Sequence, residues 1–212
     1  MADARILIVD DHPLFREALR NALSAGKSQL DISEAGSLDT LIAHLVKDDA
    51  CDLVLLDLRM PGVQGLSGLI YLRSQYPNIP VVIVSASEEA GIVRKSLDLG
   101  ASGFIPKSSG TTTIIEAVET VLAGGVWTPP WAERELPADP ETADIARRVA
   151  SLTAQQIRVL MMLKEGLLNK QIAHALNVSE ATVKAHVSAI LLKLSVASRT
   201  QAVIAASKLE GL

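Results

Sequence analysis

Hydrophobic and polar residues form a repeating pattern along the first 124 residues of the chain. Short, nearly continuous apolar runs occur at 6–9, 53–56 and 81–84, and weaker ones at 30–35 and 102–105. Such runs are typical of strands that are buried on both faces of a parallel sheet. Amphipathic segments of helix length follow them, at roughly 13–25, 38–47, 65–75, 89–98 and 111–123. Five strand–helix pairs predict a doubly wound parallel α/β domain.

The pattern changes after Gly124. Four of the nine prolines fall between 129 and 140 among acidic residues, which predicts a linker over 125–150. Both tryptophans, Trp127 and Trp131, lie in this segment. We expect them to pin its start against a domain, and ligand stacking is the alternative. From about residue 143 onward the pattern is that of helices alone.

Residues 151–212 predict an all-α domain of four short helices. Thr153 is a candidate N-cap for the first helix, and Ser179 is one for a helix over 180–193. An apolar stripe of that helix faces a core, and it consists of Val183, Val187, Ile190, Leu191 and Leu194. A short helix, a tight turn and a longer helix with small residues and Lys184 outside it predict a DNA-binding helix-turn-helix. A helical packing domain with solvated lysines is the alternative.

Composition and charge narrow the function. Cys51 is the only cysteine, and the sequence has no Cys/His cluster with the spacing of a zinc site. No uncharged apolar run approaches the ~20 residues of a membrane span and no signal peptide is evident, so we expect a cytoplasmic protein. The net charge of −4 divides into −6 over 1–124, −2 over 125–150 and +4 over 151–212. The basic last part is therefore the candidate for nucleic-acid binding.

Acidic residues follow two predicted strands that are neighbours in the strand order 2-1-3-4-5. Asp10 and Asp11 come directly after the first strand, and Asp57 directly after the third. Ser85 and Lys107 follow the fourth and fifth strands. Crowded carboxylates repel one another unless a cation lies among them, and oxygen ligands suit Mg²⁺. The set predicts a phosphoryl-accepting site with Asp57 as nucleophile, although helix capping alone would also explain Asp10 and Asp11.

With these motifs, residues 1–124 resemble the receiver domain of two-component response regulators, which has a flavodoxin-like fold. The matching segments are Asp10-Asp11, Asp57-Leu58-Arg59-Met60-Pro61-Gly62, Ser85-Ala86 and Gly103-Phe104-Ile105-Pro106-Lys107. The resemblance implies that Asp57 takes phosphate from a histidine kinase, with Lys107 and Ser85 binding the phosphoryl group. Phe104 would be the rotating aromatic residue of the switch. The implied Mg²⁺ ligands are Asp10, Asp11, Asp57 and the backbone carbonyl of Arg59.

The end of the chain resembles the LuxR-type DNA-binding domain. The matching segments are 152–153, 166–173, 179–187, 193–194 and 198–203. Together the two resemblances place the chain in the NarL/LuxR class of response regulators. They imply a homodimer on promoter DNA, with helix 199–208 as a contact between the subunits. The residues that match DNA-contacting positions are Lys170, Thr182, Lys184, Ser188 and Lys193.

A phosphorylation-controlled transcriptional regulator, not an enzyme, is therefore the expected function. Phosphate on Asp57 would either free or dimerise the DNA-binding domain. One alternative is an aspartyl-phosphate phosphatase, but Arg59 stands where the haloacid-dehalogenase type has a second acid. Another is a DNA-binding protein whose receiver only dimerises or binds a ligand. An FMN carrier is disfavoured because the loop after the first strand is acidic.

Overall fold

The computed structural model describes residues 4–26, 30–47, 50–60, 63–132 and 140–210. The strands are β1 (Ala4–Val9), β2 (Leu30–Ala35), β3 (Leu53–Asp57), β4 (Arg59–Met60), β5 (Val63–Gln64), β6 (Val81–Ser85) and β7 (Gly103–Pro106). Five of them form a parallel sheet in the order β2-β1-β3-β6-β7, which is the predicted order, and β4 and β5 pair as a separate antiparallel hairpin.

Helices cover both faces of the parallel sheet. They are α1 (Pro13–Ser24), α2 (Leu38–Lys47), α3 (Ser67–Gln75), α4 (Ala90–Asp98) and α5 (Thr111–Leu122). Successive residues of β3 point to opposite faces, so Leu53 and Leu55 pack with α1 and α5, whereas Val54 and Leu56 pack with α2, α3 and α4. The predicted doubly wound architecture is therefore confirmed.

Five helices make up the last part of the chain: α6 (Pro140–Ala150), α7 (Ala154–Lys164), α8 (Asn169–Leu176), α9 (Glu180–Leu194) and α10 (Arg199–Glu210). Thr153 caps α7 in a capping box with Gln156, and the Ser179 hydroxyl accepts a hydrogen bond from the Thr182 N–H over 3.0 Å at the start of α9. Both predicted caps are confirmed. The turn between α8 and α9 contains Asn177 in the left-handed region, with φ at 52°.

The segment after α5 is attached to the edge of the sheet. The Trp127 N–H donates to the Ser102 carbonyl over 3.2 Å, and the Phe104 N–H donates to the Trp127 carbonyl over 3.1 Å. This pairing runs parallel to β7 at Gly103, where the absence of a side chain lets the Trp127 backbone approach. The expectation that Trp127 pins this segment is confirmed. Trp131 packs against the other buried cluster, which joins the second face of the sheet to the helices α6–α10.

The helical part packs on α3 and α4 of the α/β part. Contacts join α3 to α6 and α7, and α4 to α6 and α10. Ser67 and Ile70 of α3 line a small cavity opposite Leu160, Met161 and Lys164 of α7. Among the described residues no single helix is long and apolar enough to cross a membrane, and only the pair α9–α10, bent by 58°, reaches that length and composition.

Gly103→Ala tests the attachment of Trp127 to the sheet. A Cβ atom at Gly103 would lie 2.9 Å from the Trp127 carbonyl oxygen and 3.4 Å from a Val82 methyl group, so the segment must shift. We expect the free energy of unfolding to fall by about 1–3 kcal/mol, measured by urea denaturation. Gly91→Ala is the matched control, because a Cβ there meets nothing within 4 Å and alanine favours the helix. Equal stability of the two variants would contradict the attachment.

Candidate functional site

The carboxyl edge of the parallel sheet brings Asp57, Ser85 and Lys107 to one depth. Asp57 lies opposite Val84, the residue before Ser85, in the register of β3 and β6. Ser85 lies opposite Pro106, the residue before Lys107, in the register of β6 and β7. The Lys107 N–H also donates to the Ser85 carbonyl over 2.7 Å. Register alone therefore places the hydroxyl and the ammonium beside the carboxylate.

One ammonium group joins the acidic residues of this edge. Lys107 Nζ lies 2.6 Å from Asp10 Oδ2 and 3.1 Å from Asp57 Oδ2. The ring of Phe15 lies under the ammonium, with its centroid 4.6 Å from Nζ, and holds it by a cation–π contact. Asp11 lies beside the pair, and carboxylate oxygens of all three acids come within 4.8 Å of one another. We name Asp10, Asp11, Asp57 and Lys107 the acidic edge.

Burial makes the acidic edge unfavourable for negative charge. Asp10 and Asp57 are only 1% and 3% exposed. Burial raises the pKa of Asp57 above its usual range, and the Asp10 carboxylate adds to the rise, while the Lys107 ammonium opposes it. Asp10 Oδ2, Asp11 Oδ1 and Asp57 Oδ2 are closed to solvent, and Lys107 is paired with the first and the last of them. Such a group of oxygens is suited to a hard divalent cation.

Ser85 and Phe104 lie next to the acidic edge in buried positions. The Ser85 hydroxyl oxygen accepts a hydrogen bond from the Ser87 N–H over 3.1 Å, and the residue is buried. Phe104 is fully buried in the core beneath the edge. The backbone N–H of Arg59 hydrogen-bonds to the Asp57 carboxylate, and the Arg59 side chain is exposed.

The second candidate site is the outer face of the helix-turn-helix. Thr182, Lys184 and Ser188 of α9 are exposed, as is Lys170 of α8. The Lys184 ammonium lies 3.2 Å from the Glu180 carboxylate one turn earlier. Both side chains are exposed and such pairs are weak, so Lys184 can exchange Glu180 for another anion.

Lys193 differs from the other predicted DNA contacts. Its ammonium donates to the Ser151 carbonyl over 2.7 Å and to the Gln156 side-chain oxygen over 3.0 Å. The side chain is therefore used to join α9 to the start of α7. The sequence carries no signal for this contact, because Gln156 is already explained by its capping-box hydrogen bond from the Thr153 N–H over 3.0 Å.

Comparison with known families accounts for both parts of the chain. The response regulator receiver domain matches residues 6–119, and the luxR family of bacterial regulatory proteins matches residues 150–206. The chain belongs to the response regulators with a LuxR-type DNA-binding domain. The predicted fold class, family and general role in regulating transcription are thereby confirmed.

This response regulator has relatives along almost its whole length. It is 44% identical to the glycerol metabolism activator of Pseudomonas putida, over 97% of this chain and 96% of that protein. It is 36% identical to the nitrate/nitrite response regulator protein NarP of Escherichia coli K12, over 94% and 93% of the two chains. The solved RcsB–DNA complex shares the fold, with a TM-score of 0.58 and 24% identity over 98% of this chain and 99% of that one.

Two residues that contact the receiver's acidic edge, His12 and Arg16, were not identified from the sequence. His12 Nδ1 lies 2.7 Å from Asp11 Oδ1 and 3.1 Å from Asp10 Oδ1. Arg16 donates to the Asp10 carbonyl over 2.6 Å and to Glu34 Oε2 over 2.9 Å, and with Arg20 it holds the pKa of Glu34 below its usual range. Their positions in the sequence were the one signal for these contacts: His12 follows the acidic pair, and Arg16 lies one turn into α1.

Asp57→Asn tests the electrostatics of the response regulator's acidic edge. Folding raises the pKa of the Asp57 carboxyl. As the pH rises above the ordinary pKa of an aspartate, the free energy of unfolding therefore falls. Asparagine keeps the shape and removes the buried charge. We expect the Tm of Asp57→Asn to exceed that of the wild type by a few degrees at neutral pH with a chelator, and the gap to close towards about pH 4.

Scanning calorimetry across that pH range measures the effect. Asp31→Asn, on the exposed part of β2, is the control and should leave Tm unchanged. An Asp57→Asn protein that is less stable than the wild type at neutral pH would show that pairing with Lys107 outweighs burial.

Proposed function

We propose that this response regulator is switched by phosphorylation of Asp57 by a histidine kinase and then binds promoter DNA as a homodimer. The observation that carries the proposal is the Lys107 ammonium in contact with both Asp10 and Asp57 at the end of the sheet. The same cation can pair with an oxygen of a phosphoryl group on Asp57. We also propose the division into a receiver over 1–124, a linker over 125–150 and a DNA-binding domain over 151–212.

The acidic edge fits Mg²⁺. Asp10, Asp11 and Asp57 offer closely spaced, buried carboxylate oxygens, and the backbone carbonyl of Arg59 is the fourth proposed ligand. When bound, the ion supplies positive charge that offsets the repulsion between the carboxylates and the incoming phosphoryl group.

The transfer step uses groups of this chain and a phosphohistidine of the kinase. A carboxylate oxygen of Asp57 attacks phosphorus and forms a new P–O bond. The P–N bond to the kinase histidine breaks, and its electron pair stays on nitrogen. Lys107 then pairs with one phosphoryl oxygen. The Ser85 hydroxyl donates its proton in a hydrogen bond to another, while its oxygen continues to accept from the Ser87 N–H.

DNA binding is assigned to the outer face of the helix-turn-helix. The N-terminal half of α9 would enter the major groove, where Lys184 and Ser188 can reach bases or phosphates. Lys170 and Thr182 would contact the DNA backbone. Lys193 is left out of this set, because its ammonium already serves the packing of α9 on α7. The helix predicted over 199–208 corresponds to α10, which we propose as the contact between subunits.

Exposure of α9 favours control by dimerisation over control by release of a covered helix. In this conformation the receiver packs on α6, α7 and α10. Thr182, Lys184 and Ser188 nevertheless stay exposed. The DNA-binding domain can therefore contact a single DNA half-site without separating from the receiver. Phosphorylation would then act by pairing two subunits on two DNA half-sites.

The Trp127 attachment offers a physical route from the acidic edge to the second domain. Phe104, the proposed switch residue, is hydrogen-bonded through its N–H to the Trp127 carbonyl. Rotation of a buried Phe104 ring would disturb the end of β7 and with it the start of the linker. We propose this contact as the link between phosphorylation and domain arrangement.

Phosphorylation of Asp57 is tested by intact-protein mass spectrometry. With Mg²⁺ and a small-molecule phosphodonor, the wild type should gain the mass of one phosphoryl group and Asp57→Asn should gain none. Lys107→Ala should slow the reaction by about 100-fold, since it removes the cation that faces the phosphoryl oxygens. Lys47→Ala, an exposed lysine at the end of α2, is the control and should react at the wild-type rate. Equal incorporation by Asp57→Asn would contradict the proposal.

Separating the two domains tests whether α9 is already accessible to DNA while the receiver is packed on the helical part. Ile70→Lys places a second cation beside Lys164 in the cavity between α3 and α7, and the added repulsion should separate the domains. We expect a larger radius of gyration in solution scattering and an affinity for a single selected half-site duplex that stays within about twofold of wild type. Met161→Lys repeats the test from the other side of the cavity. A tenfold gain in half-site affinity would show that the receiver covers the reading face.

A further inference from the structure

The side chain of His12 faces the acidic edge instead of capping the helix that it precedes. His12 is the N-cap residue of α1, a position usually held by residues that hydrogen-bond to the first turn. It makes no side-chain cap hydrogen bond. Its own N–H donates to Asp10 Oδ1 over 2.8 Å, and this fixes the loop so that the ring turns towards the carboxylates.

The ring nitrogen lies at a distance from the acids that suits either a hydrogen bond, as to Asp10 Oδ1, or coordination of one shared ion. His12 Nδ1 lies 2.7 Å from Asp11 Oδ1 and 3.1 Å from Asp10 Oδ1. Two ligands bound at ~2.1 Å and at right angles around one ion are about 3 Å apart. The four candidate atoms of Asp10, Asp11, His12 and Asp57 also lie within 4.8 Å of one another.

Lys107 and His12 face different oxygens of the acidic edge. Lys107 contacts Asp10 Oδ2 and Asp57 Oδ2. His12 contacts Asp10 Oδ1 and Asp11 Oδ1. The His12 side chain is 66% exposed, so solvent reaches the acidic edge from this side. Asp11 Oδ1 is closed to solvent and accepts no well-aligned hydrogen bond from the described residues. A cation on this side would therefore find one nitrogen and several oxygens without displacing Lys107.

We propose that His12 is a nitrogen ligand of the metal site at the acidic edge and shifts its selectivity towards borderline divalent cations such as Zn²⁺ and Ni²⁺. The inference rests on the proposed metal site and adds a ligand to it. Imidazole nitrogen suits Zn²⁺ and Ni²⁺, whereas Mg²⁺ is bound by oxygen and keeps its water. An all-oxygen site has a smaller preference of this kind, so His12 would widen the gap in affinity between Ni²⁺ or Zn²⁺ and Mg²⁺.

Isothermal titration of the full chain with Ni²⁺ and with Mg²⁺ tests the assignment. His12→Asn should weaken Ni²⁺ binding at least tenfold and change Mg²⁺ binding less than twofold. His174→Ala is the matched control, because that exposed histidine lies on α8 in the other domain, and both affinities should be unchanged. In a ¹⁵N-histidine-labelled protein, the Nδ1 resonance lost in His12→Asn should be the one that moves when Zn²⁺ is added.

Asp11→Asn separates failure of this inference from failure of the proposed function. If Asp11→Asn abolishes binding of both ions while His12→Asn leaves the Ni²⁺-to-Mg²⁺ ratio unchanged, the metal site stands and His12 only hydrogen-bonds to the acids. That result, or a Zn²⁺-insensitive His12 resonance, would overturn the inference. If Asp11→Asn alters the binding of neither ion, the acidic edge is not the metal site and the proposed function fails with it.

Discussion

The contact of one ammonium with two buried carboxylates is the interaction on which the receiver's chemistry depends. Asp10 and Asp57 are almost fully buried and lie at the carboxyl ends of neighbouring strands, so their charges repel in a medium that screens poorly. Lys107 offsets part of this cost, and the raised pKa of Asp57 shows that it does not remove all of it. We propose that the remaining imbalance favours binding of a divalent cation and then of a phosphoryl group.

The same sheet connects the acidic edge to the rest of the chain. β7 carries Phe104 in the core and leads to Lys107, and its outer edge holds Trp127 by two backbone hydrogen bonds. The residues that follow α5 therefore begin as an addition to the sheet. A change at the acidic edge has only one strand to cross before it reaches the segment that leads to the DNA-binding domain.

Much of this arrangement could be predicted because it follows from local patterns. Five apolar runs predicted the five strands of the parallel sheet but not the short β4–β5 hairpin, and the parallel topology then required Asp57, Ser85 and Lys107 to meet at one edge. The caps Thr153 and Ser179 were visible because capping needs a hydroxyl directly before an amphipathic run. These features depend on residues close in sequence or on a topology with few alternatives.

Other features depend on contacts between distant residues and leave little trace in the sequence. The role of Gly103 requires knowledge that Trp127 returns to its strand, and the role of Lys193 requires knowledge that α9 crosses the start of α7. His12 carries no pattern beyond its place after two acids. The packing of α3 on α7 could not be predicted from the sequence, because the pattern of each helix is that of an ordinary amphipathic helix within its own domain.

Phosphate on Asp57 is proposed to control DNA binding by the LuxR-type domain. Genome-wide footprinting of the purified full chain, with and without a phosphoryl mimic and with Asp57→Ala as the control, tests it most directly. The mimic should increase occupancy at paired half-sites for the wild type and have no effect on Asp57→Ala. Occupancy by Asp57→Ala that rises with the mimic as it does for the wild type would contradict it.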